Sequence, residues 1–360
     1  MVDGWEAFGQ TAKGDFRARV EASPQWQDGH FENPQPLVND TWGMVKGAWR
    51  MSADTTPKTE VPFEPVPKER FDTPPASGLR VTWLGHATTL VEVDGQRVLF
   101  DPVWSERASP LSWLGPRRWY RPPLALDDVP RLDAVVISHD HYDHLDLPTV
   151  RALNARGVTF FVPLGVGAHL RSWGVDAARV VELDWWESKQ VGSLEVVCTP
   201  SRHASGRFLF DFGQQLWSGW ALKGPTHRVY YSGDTGLFPG MKDIGERLGP
   251  FDVTLIEVGQ YHSAWPDWHI GPEQAVTAHQ WVQGKLLLPV HWGLFTLAYH
   301  AWTEPAERVL AEAQRQGVSL VIPRPGQSVE PSAPPAVDRW WPPVAFQTAE
   351  EMPIHSTGMP

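Results

Sequence analysis

A single cysteine, Cys198, occurs in 360 residues. A lone thiol excludes an internal disulfide and a thiolate-ligated zinc site. It fits a reducing compartment, so the expectation is a cytoplasmic protein. Positive charge is also scarce. Against 42 Asp and Glu stand 31 Lys and Arg, a net charge of −11. That balance argues against a nucleic-acid partner and gives no broad attraction to anionic lipid. No apolar run reaches the length that crosses a bilayer. The opening Met1-Val2-Asp3-Gly4-Trp5-Glu6 lacks the pattern of a secretory signal, and Val2 excludes myristoylation at a glycine.

What is present is apolar and aromatic. An apolar fraction of 42% can build a sizeable core, and twenty tryptophans are many for this length. Most belong inside, but tryptophan is also a residue of membrane interfaces. Residues 1–75 read as an irregular arm, broken repeatedly between Pro24 and Pro75. Its aromatic stretch from Ser23 to Phe31 is expected to pack on the domain. Regular structure is expected from about Leu79, with the catalytic domain over 76–328. Thr89 to Phe100 is two strand-like runs around Asp94-Gly95, a hairpin signal. Residues 102–130 form a long loop rich in Trp, Arg and Pro, of a length that is usually functional. Residues 329–360 read as a proline-rich tail.

Strands are predicted at 158–162, 194–198, 229–232, 253–258, 286–290 and 318–322. Leu147 to Ala155 reads as a helix. A second helix opens at Pro272, and a third runs from Pro305 to a stop at Gly317. Strands alternating with helices imply an α/β layer structure.

The densest chemistry lies at Ser138-His139-Asp140-His141-Tyr142-Asp143-His144-Leu145-Asp146. It follows the apolar run Asp133 to Ile137, which reads as a buried strand. A strand that empties into His-x-His-x-Asp-His brings nitrogen and oxygen donors to one sheet edge. Such a donor set suits zinc or another borderline transition metal. Three later strands also end in potential ligands: His203 after Cys198, Asp234 after Ser232, and His291 after Val290. His139, His141, Asp143, His144, His203, Asp234 and His291 are too many for one tetrahedral ion. They suffice for two ions that share a carboxylate, and Asp234 can bridge because it has two oxygens.

These motifs resemble the metallo-β-lactamase fold. Within it, the chain is similar to the N-acylphosphatidylethanolamine-hydrolysing phospholipase D family. Thr82 to Thr88, Arg107 to Pro110, Gly115 to Arg118, Arg121 to Pro123, Phe161 to Gly165, Glu182 to Trp186, Gly245 to Asp252 and His291 to Gly293 carry the likeness, which spans about residues 80–325. The resemblance implies an αββα sandwich with a single catalytic domain. It places one Zn2+ on His139, His141 and His203, and a second on Asp143, His144 and His291, with Asp234 between them. It implies attack of a metal-bound hydroxide on a phospholipid phosphodiester, giving phosphatidic acid and an N-acylethanolamine. Asp143 and His269 are the expected catalytic side chains, His269 on the substrate side.

Asp101, after a strand, reads either as an orienter of a ligand histidine or as a turn cap. His86 reads as a packed core histidine. Asp140 replaces an expected Asn, the stretch Ala204 to Arg207 is smaller and less apolar than the family pattern, and the loop Gln260 to His269 is short. All three departures fall near the substrate.

A sugar-phosphate-type lactonase would use the same metal ligands, and a non-catalytic metal-stabilised binding protein is a third reading. Peripheral membrane contact is expected through Trp5, Phe8, Trp26, Phe31, Trp104, Trp113, Trp119 and Tyr120, with Arg117, Arg118 and Arg121 acting locally. The oligomeric state is left open, a homodimer included.

Overall fold

A computed structural model describes residues 4–208 and 210–359. Met1 to Asp3, on which the reading of the chain's start partly rests, lie outside the described residues. In the arm, α1 (Gly14–Glu21) and α2 (Thr41–Trp49) are helical, and β1 (Trp26–Gln27) pairs with β2 (His30–Phe31). The sequence reading expected irregular structure here. The helices occupy the windows 1–23 and 37–56, which contain no proline, so the breakers confine the helices without abolishing them.

The body holds two sheets. One has the order β15 (Ser328–Val329), β3 (Leu79–Gly85), β4 (Thr88–Val93), β5 (Gln96–Phe100), β6 (Ala134–Val136), β7 (Phe160–Pro163) and β8 (Val180–Leu183). The other has the order β14 (Leu287–Val290), β13 (Val253–Glu257), β12 (Arg228–Tyr231), β11 (Gly219–Lys223), β10 (Leu194–Thr199) and β9 (Ser188–Val191). Alternation along the strands divides the core. Val91, Val98, Phe100 and Val136 pack with Val196, Cys198, Trp220 and Leu222 between the sheets. Leu90, Leu99 and Val135 instead meet Leu147, Val150 and Leu153 of α3 (Leu147–Ala155) and Leu170 of α4 (Gly167–Ser172). The second sheet is backed by α5 (Gly240–Leu248), α6 (Pro272–Trp281) and α7 (Glu304–Gln316). The result is a four-layer αββα sandwich.

Asp94 and Gly95 both have positive φ, 48° and 82°, so the β4–β5 hairpin turns as its Asp-Gly pair predicts. The expected strand at 318–322 is reduced to one bridge, Leu320 to Leu287. Pro323 follows at once and has no N–H to extend the ladder. The tail is not loose: Trp340 and Trp341 are buried, and Thr357 accepts from the Arg202 guanidinium through its carbonyl at 2.9 Å.

Candidate metal centre

The parallel pairs β5–β6 and β6–β7 bury β6 between neighbours, so the polar run after it emerges at the sheet edge. On the second sheet, β10, β12 and β14 release His203, Asp234 and His291 towards the same edge. The structure brings all seven predicted donors together. His139, His141, His203 and Asp234 form one group, with donor atoms within 4.8 Å of one another. Asp143, His144 and His291 form another, joined by His86. Oδ2 of Asp234 lies within 3.8 Å of five imidazole nitrogens: His144 at 3.1 Å, His291 at 3.2 Å, His139 at 3.7 Å, His203 and His269 at 3.8 Å.

Neighbouring groups aim the rings. His144 Nδ1 sits 2.7 Å from Asp101 Oδ2, which turns Nε2 inward. Asp101 Oδ2 also accepts from the hydroxyls of Ser138 and Tyr231, both at 2.5 Å. His203 Nδ1 bonds the Trp268 carbonyl at 2.9 Å, leaving its Nε2 for the site. Asn33 of the arm grips the His203 backbone twice, at 2.7 and 3.1 Å. His86, Asp101 and His291 all have positive φ (53°, 38° and 63°), a costly backbone for residues with a Cβ, and such strain concentrates at functional sites.

The electrostatics favour a cation. Burial alone would raise the carboxyls of Asp143 and Asp234, but the surrounding imidazoles hold both well below the usual range. Burial pushes the imidazoles of His139 and His203 well down. Burial also opposes charge on His144, yet Asp234, Asp143 and Asp101 carry its pKa well above the ordinary value. Asp234 Oδ1 and His144 Nε2 are buried without a hydrogen-bond partner. Unpartnered donors of this kind, with nitrogen and oxygen but no thiolate, fit a borderline divalent cation.

Two residues enter that sequence reasoning placed elsewhere or missed. His86 is buried, as expected of a core histidine, but its Nε2 reaches Asp143 Oδ2 at 2.8 Å. Burial first, then His291, lower its pKa to about 3. Glu257 ends β13 inside an apolar run and accepts from the Thr235 amide at 2.5 Å and from His269 Nδ1 at 2.7 Å. A charged residue in a buried strand was the available signal. His269 lies at the rim, its side chain 15% exposed against 0–1% for His139, His144, His203 and His291. Burial lowers its pKa.

Two of the expected departures, Asp140 and the stretch Ala204 to Arg207, contact one another. Asp140 pairs with His169 at 3.2 Å and accepts from the Gly206 amide at 2.9 Å. The buried Arg207 donates to the carbonyls of Asp140, Leu145 (2.9 Å) and Ala7 (2.8 Å).

Comparison with known proteins agrees with this geometry. Residues 96–292 match the β-lactamase superfamily domain. An uncharacterized protein of Mycobacterium tuberculosis is 49% identical over 91% of this chain and 89% of its own length. The N-acyl-phosphatidylethanolamine-hydrolyzing phospholipase D 1 of Caenorhabditis elegans is 38% identical over 78% of this chain and 85% of its own. A metallo hydrolase from the archaeon Ignicoccus hospitalis superposes with a TM-score of 0.54 at 23% identity, over 70% of this chain and 97% of that one. The chain therefore belongs to the metallo-β-lactamase superfamily of metal-dependent hydrolases.

Proposed function

We propose that this protein is a zinc-dependent phosphodiesterase. Its substrate is an N-acylphosphatidylethanolamine-type phospholipid, and its products are phosphatidic acid and an N-acylethanolamine. The observation that carries the reading is the single oxygen of Asp234 shared among five imidazoles, which suits a two-ion centre. The 38% identity to a phospholipase D of this kind supports the substrate class.

His139, His141 and His203 would hold one zinc, Asp143, His144 and His291 the other, and Asp234 both. Such a pair supplies Lewis-acid charge at the phosphoryl oxygens and water that ionises near neutrality. The ionised carboxylate of Asp143 orients the attacking water. His269, whose pKa burial lowers, assists protonation of the departing alcohol: its Nε2 takes up a proton released by the attacking water and hands it to the leaving oxygen.

The lipid is met at a membrane surface from the cytoplasmic side. No helix among the described residues is long and apolar enough to cross a membrane. Of the aromatics expected to face lipid, Phe31 and Tyr120 are buried, while Trp5 and Trp113 are 79% and 67% exposed. A better surface is α2. Its Gly43 and Gly47 side lies against Ala264, His262 and Tyr299. Trp42, Val45 and Trp49 are left 74%, 47% and 87% exposed. No acid occurs from Thr41 to Ser52, whereas Lys46 and Arg50 do, in a chain of net charge −11. Paired tryptophans with basic neighbours match an interfacial helix. The 262–268 loop leads directly from this helix's seat to His269.

Purified zinc-loaded protein should be assayed on N-acylphosphatidylethanolamine micelles, a short soluble phosphodiester and a sugar-phosphate lactone. Release of N-acylethanolamine with phosphatidic acid is the expected result. Turnover of the lactone alone would replace this reading with a lactonase, and absence of all turnover with a binding protein.

A further inference from the structure

The strongest observation unused by that reading is Glu257. It is fully buried, on a strand flanked by β12 and β14, where an isolated carboxyl is costly. It is not among the predicted metal donors, although its carboxylate, Asp234, His269 and His291 bring donor atoms within 4.8 Å of one another. One oxygen, Oε1, is taken by the Thr235 amide at 2.5 Å, next to Asp234. The other, Oε2, is 2.7 Å from His269 Nδ1 and 3.4 Å from His291 Nδ1. The closer contact is with the substrate-side ring.

We propose that Glu257 is a positioning residue that fixes the imidazole of His269 through Nδ1 and presents its Nε2 to the substrate. His269 needs such an anchor. It precedes α6 in a loop, its backbone is tied by the Ile270 amide to the Thr235 carbonyl at 3.0 Å, and its ring torsion is otherwise broad. Nε2 makes no hydrogen bond among the described residues, and this histidine, like His141, is left partly open at the rim. Thr235 therefore joins three parts: its amide holds Glu257, its carbonyl holds the loop of His269, and its neighbour Asp234 lies at the centre of the donor set. The arrangement sets the substrate-side ring in register with the metal edge. The inference rests on the proposed role of His269, and its test separates the two.

The test is a cycle of Glu257→Ala, Glu257→Gln, His269→Ala and the double variant Glu257→Ala/His269→Ala. The assay uses whichever substrate the wild type turns over best, with metal content measured for each variant. Glu257→Ala should lower kcat by roughly 10- to 100-fold, the usual effect of an orienting partner, with KM and metal equivalents unchanged. Glu257→Gln, which keeps the shape and an oxygen acceptor, should restore most of the rate. In the His269→Ala background the Glu257→Ala effect should vanish. Full additivity there, or loss of metal in Glu257→Gln, would assign Glu257 to His291 and overturn the inference. A readout independent of substrate is the imidazole proton resonance of the Nδ1 bond, identified by its loss in His269→Ala. It should also be lost in Glu257→Ala, and its persistence would overturn the positioning role whatever the reaction proves to be.

Discussion

The metal edge and helix α2 treat polar and apolar groups in opposite ways. At the edge, charged and titratable side chains are buried and crowded. His139, His144, His203 and His291 are at most 1% exposed, and each is oriented or flanked by another polar group. On α2, large apolar side chains face outward and glycines face inward. Burying charge without compensation is expensive, and so is exposing a contiguous apolar face. Under the proposed function each region is completed by something the chain itself does not supply: a cation at the edge, and a lipid surface at the helix. If so, variants in one region should leave the function of the other intact.

The largest effect is expected from Asp234→Asn. Wild-type protein should carry about two metal equivalents after mild dialysis, as a bridged two-ion centre requires. The variant should lose at least one equivalent, and its turnover should fall beyond the roughly 100-fold typical of outer-sphere partners. Vesicle binding should be unchanged. One equivalent in wild type, unaltered by the substitution, would remove the bridged centre. His139→Ala and His291→Ala should in addition lower Tm, because bound metal stabilises the folded state.

His269→Ala comes next. It should reduce kcat by roughly ten- to ten-thousandfold with metal content intact. A wild-type rate would leave this residue without a role in the reaction.

The arm is tested by Trp42→Ser/Trp49→Ser. Both side chains are mostly exposed, so stability should change by less than about 0.5 kcal/mol. Binding to zwitterionic vesicles should weaken by about tenfold, and turnover of a short soluble diester should not change. On vesicles that contain anionic lipid, wild-type binding should in addition fall as salt rises, through Lys46 and Arg50. A slower soluble reaction in the double variant would break the separation between the two regions.

The smallest effect concerns pH and the fold. His279 on α6 is buried outside the centre, with Nδ1 2.7 Å from Thr254 Oγ1, and burial lowers its pKa from 6.5 to about 4. The neutral form is favoured in the folded state. Its stabilisation is complete above pH 6.5 and is lost as pH falls towards 4. At pH 6 the loss is roughly 0.8 kcal/mol. Denaturant unfolding from pH 7.5 to 5 should show a shallower acid limb in His279→Gln than in wild type. An identical slope would assign acid sensitivity to other groups.

The two sheets differed in how readable they were. The first sheet delivers its donors in one contiguous motif, from His139 to His144, directly after an apolar strand, and local spacing suffices to see it. The second delivers one donor per strand, at His203, Asp234 and His291, which become visible through their repetition after apolar runs. Glu257 escaped because it sits inside such a run, where pattern reading counts apolar residues. The arm's helices escaped because propensity is a weak prior and the prolines around them dominate the composition.

By itself, the sequence determined the α/β alternation, the β4–β5 hairpin, the helix at Leu147–Ala155 and the seven candidate donors that meet at one edge. Each of these depends on neighbours along the chain, where φ/ψ preferences and hydrophobic period act. Tertiary structure alone decided that Asp234 Oδ2 faces five imidazoles, that Asn33 of the arm clamps His203, and that Glu257 holds His269. It alone turned the tryptophans of α2 outward while burying Phe31 and Tyr120. These pairings join residues from 12 to 170 positions apart. Their partners are chosen by how the two sheets stack and by which buried polar groups must find one another, and neither is written in any local window of the chain.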